Sequence, residues 1–184
     1  GIMLQNLGDM GGRVTPLSEY DYERLEDWFL LADSLDPVSN YMPRLAAQYF
    51  GAVREPESLA YVVDYLVTIG QRTHGEKWRW LVHAIFLARH GMNDLDRAHE
   101  IAVKLAEYPD DDLKAWTDMM PAIILNEKGE KELAYTLMLG LLKDRAEKLH
   151  PNEVNHIVAY ICEELPESAQ AAQNPLCTAA HRNN

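Results

Sequence analysis

Gly129-Glu130-Lys131-Glu132-Leu133-Ala134 places a turn glycine five residues before an alanine that falls early in a helical pattern. An alanine in the same position recurs at Ala98, in Leu95-Asp96-Arg97-Ala98, and at Ala60, in Glu57-Ser58-Leu59-Ala60. The three alanines stand 38 and 36 residues apart. That is close to the period of roughly 34 residues expected of a repeated helix pair. A small side chain at such a position lets the paired helix approach, whereas a larger one forces the axes apart.

Outward from these stretches, apolar residues recur at helical spacing through most of the chain, and no strict alternation bounded by hairpin signals competes with them. The pattern predicts helices over about 18–35, 41–53, 56–70, 77–90, 95–107, 113–126, 130–148 and 151–165. Ser18 is read as the first N-cap, with Tyr22, Leu25, Trp28, Phe29 and Ala32 turned inward. Pro43, Pro56 and Pro151 suit first helical turns, whereas Pro121 falls inside a helix and predicts a kink. Asn93 or Asp94 caps the fifth helix and Asp111 or Asp112 the sixth. Residues 1–16 read as a flexible N-terminal arm, 17–166 as one helical repeat domain and 167–184 as a mobile C-terminal tail.

Over about residues 41–148 the chain resembles the tetratricopeptide repeat family. The third unit matches best: Gly129 and Ala134 take the turn and second-helix positions, with Ala122 and Leu125 as the small and large positions of its first helix. In the second unit Trp80, Ala84 and Leu87 fill the corresponding places. Gly91 stands seven residues before Ala98, so that turn carries two additional residues. The first unit is the poorest, with Ala47 as its small position and Glu55 where a glycine is common. Pro109 fits the proline that often follows a unit.

The resemblance implies an all-α, right-handed α-α superhelix of about three helix pairs, with the helices at 18–35 and 151–165 as caps. It also implies a non-catalytic protein-binding adaptor or assembly subunit with a concave groove lined by the first helix of each pair. Groove candidates on that basis are Tyr41, Arg44, Gln48, Trp78, Arg79, His83, Asp118 and Met119. Trp78 and Trp80 are two apart and cannot share a helix face, so Trp80 is read as core and Trp78 as either a binding residue or a packing one. Leu35-Asp36-Pro37, followed by Tyr41 and Ala46-Ala47, is similar to a variant of the repeat found in bacterial membrane-tethered proteins. That variant would fit an N-terminal anchor outside this sequence and either a cytoplasmic or a periplasmic location.

Charge and motif content narrow the remaining classes. A net charge of −12 without a clustered basic face argues against nucleic acid and against an anionic membrane surface. No apolar run approaches the roughly 20 residues of a membrane-spanning helix. His83, His90 and His99 lack the supporting ligands of a metal site, and Asp110-Asp111-Asp112 lacks the glycine and glutamate of a calcium loop. No nucleophile motif or phosphate-cradling loop is present, so neither catalysis nor a cofactor is expected. Cys162 and Cys177 are either a core thiol and a tail thiol or a disulfide pinning the tail, which would require an oxidising compartment. The alternatives to an adaptor are a structural subunit of a larger complex held by broad surfaces and, further off, a helical enzyme or cofactor-binding bundle.

Overall fold

The periodic apolar pattern becomes ten α-helices in the computed structural model, which describes residues 15–109, 115–145, 148–165 and 168–180. No strand occurs among the described residues, and no helix there is long and apolar enough to cross a membrane. The predicted arm (1–14 of its residues), Asp111, Asp112 and the last four residues lie outside the described residues. The sequence predicts one domain over 17–166, but the chain parts after Tyr108 into two compact units, each with its own core.

In the first unit, α1 (Tyr22–Leu35) starts later than the sequence predicts. Leu17–Glu19 forms a single 3-10 turn, and Asp21 rather than Ser18 caps α1 by accepting the Arg24 amide at 3.1 Å. The carboxylate there satisfies an amide that has no partner within the helix. After α2 (Tyr41–Gln48) comes α3 (Pro56–Gly70), which is buried on several sides and is the centre of this core. Leu59, Val63, Tyr65, Leu66 and Ile69 are all closed to solvent. Phe29 of α1 and Phe50 meet at 5.4 Å between ring centroids, and Phe29 reaches Tyr65 at 5.1 Å. Burial pushes the Tyr22 and Tyr65 hydroxyls well above the ordinary tyrosine range.

Helices α4 (Arg79–Phe86) and α5 (Leu95–Ala106) complete the unit, α4 packing between α3 and α5. The end of α4 widens into a π-helical turn over Leu87–Gly91, closed by Met92 N–H donating to the Leu87 carbonyl at 2.9 Å. That widened turn and Asn93, which takes a positive φ of 55°, connect α4 to α5 where the sequence predicts a turn with two additional residues. Gly70 and Gly91 matter here for space. A Cβ on Gly70 would lie 2.8 Å from the Leu81 backbone nitrogen, and one on Gly91 would collide with the Leu59 side chain.

The second unit holds α6 (Ala115–Glu127), α7 (Lys131–Arg145), α8 (Pro151–Ala159), α9 (Ala169–Ala172) and α10 (Pro175–Ala180). Pro121 sits inside α6, as its position in the pattern requires. Gly129 joins α6 to α7 at φ 84°, a left-handed conformation that glycine adopts without a Cβ penalty. His150 and Glu153 cap α8 reciprocally: the His150 ring accepts the Asn152 amide, and Glu153 accepts the His150 amide.

The described part of the predicted tail is folded onto this unit. Ser168, Ala171, Asn174 and Cys177, three residues apart throughout, are all buried. Asn174 donates to the Tyr135 hydroxyl at 3.0 Å, Glu132 accepts from Ser168 and from the Ala169 amide, and Cys177 is disulfide-bonded to Cys162. The anchors are small or polar, so they leave no hydrophobic periodicity and the segment reads as a loose tail.

The repeat alanines divide in the same uneven way as their motifs. Ala84, Ala98, Ala122 and Ala134 are buried at their seams, and Trp80 is buried beside Ala84. Ala47 and Ala60 are only half-buried, and the sealed positions are their neighbours Ala46 and Leu59. Ala47 and Ala60, predicted at the first seam, are therefore not the residues closed to solvent there. The close approach in this unit is carried by Gly70 and Gly91 instead.

Candidate functional site

Along α2, residues 41, 44, 45 and 48 recur at helical spacing and share one face. The structure brings the predicted groove residues Tyr41, Arg44 and Gln48 together there. With Leu45 and Tyr49 they line an open concavity of about 360 Å³. Tyr41 and Tyr49 are 47% and 44% exposed, large aromatic rings left in solvent at the two ends of the helix, while Leu45 forms a buried floor. Tyr49, the C-cap residue of α2 and eight residues from Tyr41, is missing from the sequence-based set.

Trp78, Arg79 and His83 do not line that concavity. Arg79 is exposed and lies over the half-buried Trp78 ring at 5.0 Å, while its guanidinium pairs with Glu76 at 3.1 Å. His83 stacks on Trp80 at 5.3 Å, and desolvation lowers its pKa, so it is neutral at neutral pH. Trp80 donates its indole N–H to Asn40 Oδ1 at 3.0 Å. Lys77 donates to the Ser39 carbonyl at 2.7 Å. Those two bonds tie the start of α4 to the start of α2.

Beneath this junction lies a polar cluster that sequence reading passed over. Asp33 is only 1% exposed and pairs with Arg72. Lys77 is closed to solvent as well, and burial lowers its pKa against the opposing pull of Asp33. A buried carboxylate must be compensated, and Arg72 supplies the charge. Asp33 Oδ1 and the Tyr65 hydroxyl are left without a hydrogen-bond partner. The signal was available: Asp33 follows Leu25 and Phe29 at four-residue steps, on the inward stripe of α1. Trp28, expected inward, is instead 50% exposed and shares an outward stripe with Leu31 and Leu35.

In the second unit, Asp118 is half-buried and pairs with Arg145. Desolvation raises its pKa, and Arg145 pulls it back. Met119 is not a groove residue. It is 2% exposed and belongs to the core with Ala122, Tyr135 and Met138. The inward stripe of α6 runs through Ala115, Met119 and Ala122, which leaves Met119 no access to a partner. Among the described residues no group of three or more His, Cys, Asp or Glu side chains is placed to hold a metal ion.

The chain matches no protein-family model. Comparison with curated proteins and with solved structures finds no significant match.

Proposed function

We propose that the chain is a non-catalytic protein-binding adaptor or assembly subunit built from tetratricopeptide-like helix pairs, which takes a partner segment on the α2 face of its first unit. The observation that carries this reading is the exposure of Tyr41 and Tyr49 around Arg44 and Gln48 on one concave helix face. Tyrosine and arginine are the residue types that most often supply binding energy at protein interfaces. Alanine seams at Ala84–Ala98 and Ala122–Ala134 support the repeat reading, with the first pair as a diverged member. The Cys162–Cys177 disulfide favours an oxidising compartment over a reducing one.

The test is capture of partners from the native source by the full chain and by a Tyr41→Ala/Tyr49→Ala variant, with circular dichroism on both. Proteins retained by the native chain and lost from the equally folded variant would support the α2 face. An identical set on both would exclude it.

The stripe of Trp28, Leu31, Leu35 and Val38 favours a second reading, a structural subunit of a larger complex held by a broad surface. Leu35 and Val38 are 80% and 71% exposed, and adjoining exposed apolar residues of this size mark interaction surfaces. Leu31→Glu should then abolish co-purification of a stoichiometric complex and leave the α2-dependent partners in place.

A further inference from the structure

The charge of the α2 concavity runs against that of the whole chain. Net charge is −12, yet no carboxylate lines the concavity. Arg24, Arg72, Arg79, Arg97 and Arg145 are each held by an aspartate or glutamate. Arg44, like Arg54, has no such partner among the described residues, although carboxylates outnumber cations in the sequence. The groups around it are also donors. The Tyr41 and Tyr49 hydroxyls and the Gln48 side-chain amide make no hydrogen bond to another described residue. A guanidinium, two phenols and an amide therefore face solvent over the apolar floor of Leu45. A guanidinium presented in this way can hold a carboxylate through two parallel hydrogen bonds.

The length of the face indicates a peptide. From Tyr41 to Tyr49 the helix rises about 12 Å, at 1.5 Å per residue. An extended chain covers that distance in about four residues. The acidity of the rest of the surface sets a limit on the ligand's charge. A polyanion, whether nucleic acid or an anionic bilayer, would be repelled by the chain as a whole. A single carboxylate with apolar neighbours meets the one local cation and avoids that repulsion.

We propose that the α2 concavity binds an extended segment of a partner protein bearing one internal aspartate or glutamate between apolar residues, with Arg44 pairing with the side-chain carboxylate and Tyr41 and Tyr49 flanking it. The inference deepens the adaptor reading and rests on it.

The experiment uses the full chain. A random heptapeptide library displayed on phage is selected on the native protein, on Arg44→Glu and on Tyr41→Ala/Tyr49→Ala. The strongest peptide is then synthesised with a fluorescent label, alongside an analogue carrying the amide in place of the acid. Expected is enrichment of sequences with one acidic residue among apolar ones, an amide analogue about tenfold weaker, and loss of binding to Arg44→Glu. Enriched peptides that lack an acid but need the two tyrosines would overturn the charge assignment and leave the peptide-binding face intact. Failure of the native chain to enrich any sequence would overturn both. Arg44-dependent binding of single-stranded DNA or of phosphatidylserine vesicles would also overturn the proposal, by assigning the cation to a polyanion.

Discussion

Between Tyr22 and Tyr108 the chain is held by large side chains closed to solvent. Phe29, Phe50, Tyr65 and the aliphatic residues of α3 are closed to solvent, and the buried Asp33 pairs with the part-exposed Arg72. From Ala115 onward the buried set is lighter: alanines, two methionines, Tyr135 and a few aliphatics. There the chain adds a covalent link, Cys162 to Cys177, and hydrogen bonds that Glu132 accepts from the Ala169 amide and Tyr135 accepts from Asn174. A unit with a smaller apolar core gains more from a cross-link, because less burial is available to offset its conformational entropy. The first unit also accommodates a buried charge, and the second carries none that is fully buried among its described residues.

The largest expected effect breaks the comparison from the side of the first unit. Arg72→Ala would strip the buried Asp33 carboxylate of its paired cation, leaving only the Lys77 charge near it, and should cost about 3–5 kcal/mol. Urea unfolding measures this loss, and replacing Asp33 with leucine in the same variant should restore much of it. A change below 1 kcal/mol (about the value of an exposed pair) would mean that Asp33 is hydrated in solution.

Next comes the second unit. Its disulfide closes a loop with a sequence separation of 15. Reduction, or Cys177→Ser, should cost about 3 kcal/mol and speed hydrogen exchange in 168–180. Exchange in α3 should not change. Two free thiols detected in the unfolded, unreduced protein would remove the cross-link from the account altogether.

A smaller effect tests the repeat register that the sequence predicts. Ala98→Leu and Ala134→Leu should overpack their seams and cost about 1–3 kcal/mol each. Ala60→Leu, at a half-buried position, should cost less than either. Equal losses at all three positions, measured by thermal unfolding, would restore Ala60 to the seam.

The site was legible in part. The resemblance implied Tyr41, Arg44 and Gln48 as groove residues, and the 3.6-residue period agrees in giving them one side of a helix. The same period put Met119 in the wrong place, since Asp118 and Met119 are adjacent and only the packing of α7 and α8 decides which of them is covered. Trp28 failed for the opposite reason. Its hydrophobicity argued for burial, but the inner stripe of α1 was already filled by Leu25, Phe29 and Asp33.

What the sequence determined by itself is local. Helical periodicity, proline at first turns and the glycine at position 129 specify an all-helical chain, because backbone geometry and side-chain period act over a few residues. Tertiary structure alone decided what depends on distant neighbours. It set the parting of the chain after Tyr108, the burial of Ala46 and Leu59 rather than Ala47 and Ala60, the anchoring of the last helices by Cys177 and Asn174, and the lack of a carboxylate among the residues that line the concavity around Arg44. Each of these turns on which surfaces meet in space, and a periodic pattern carries no record of that.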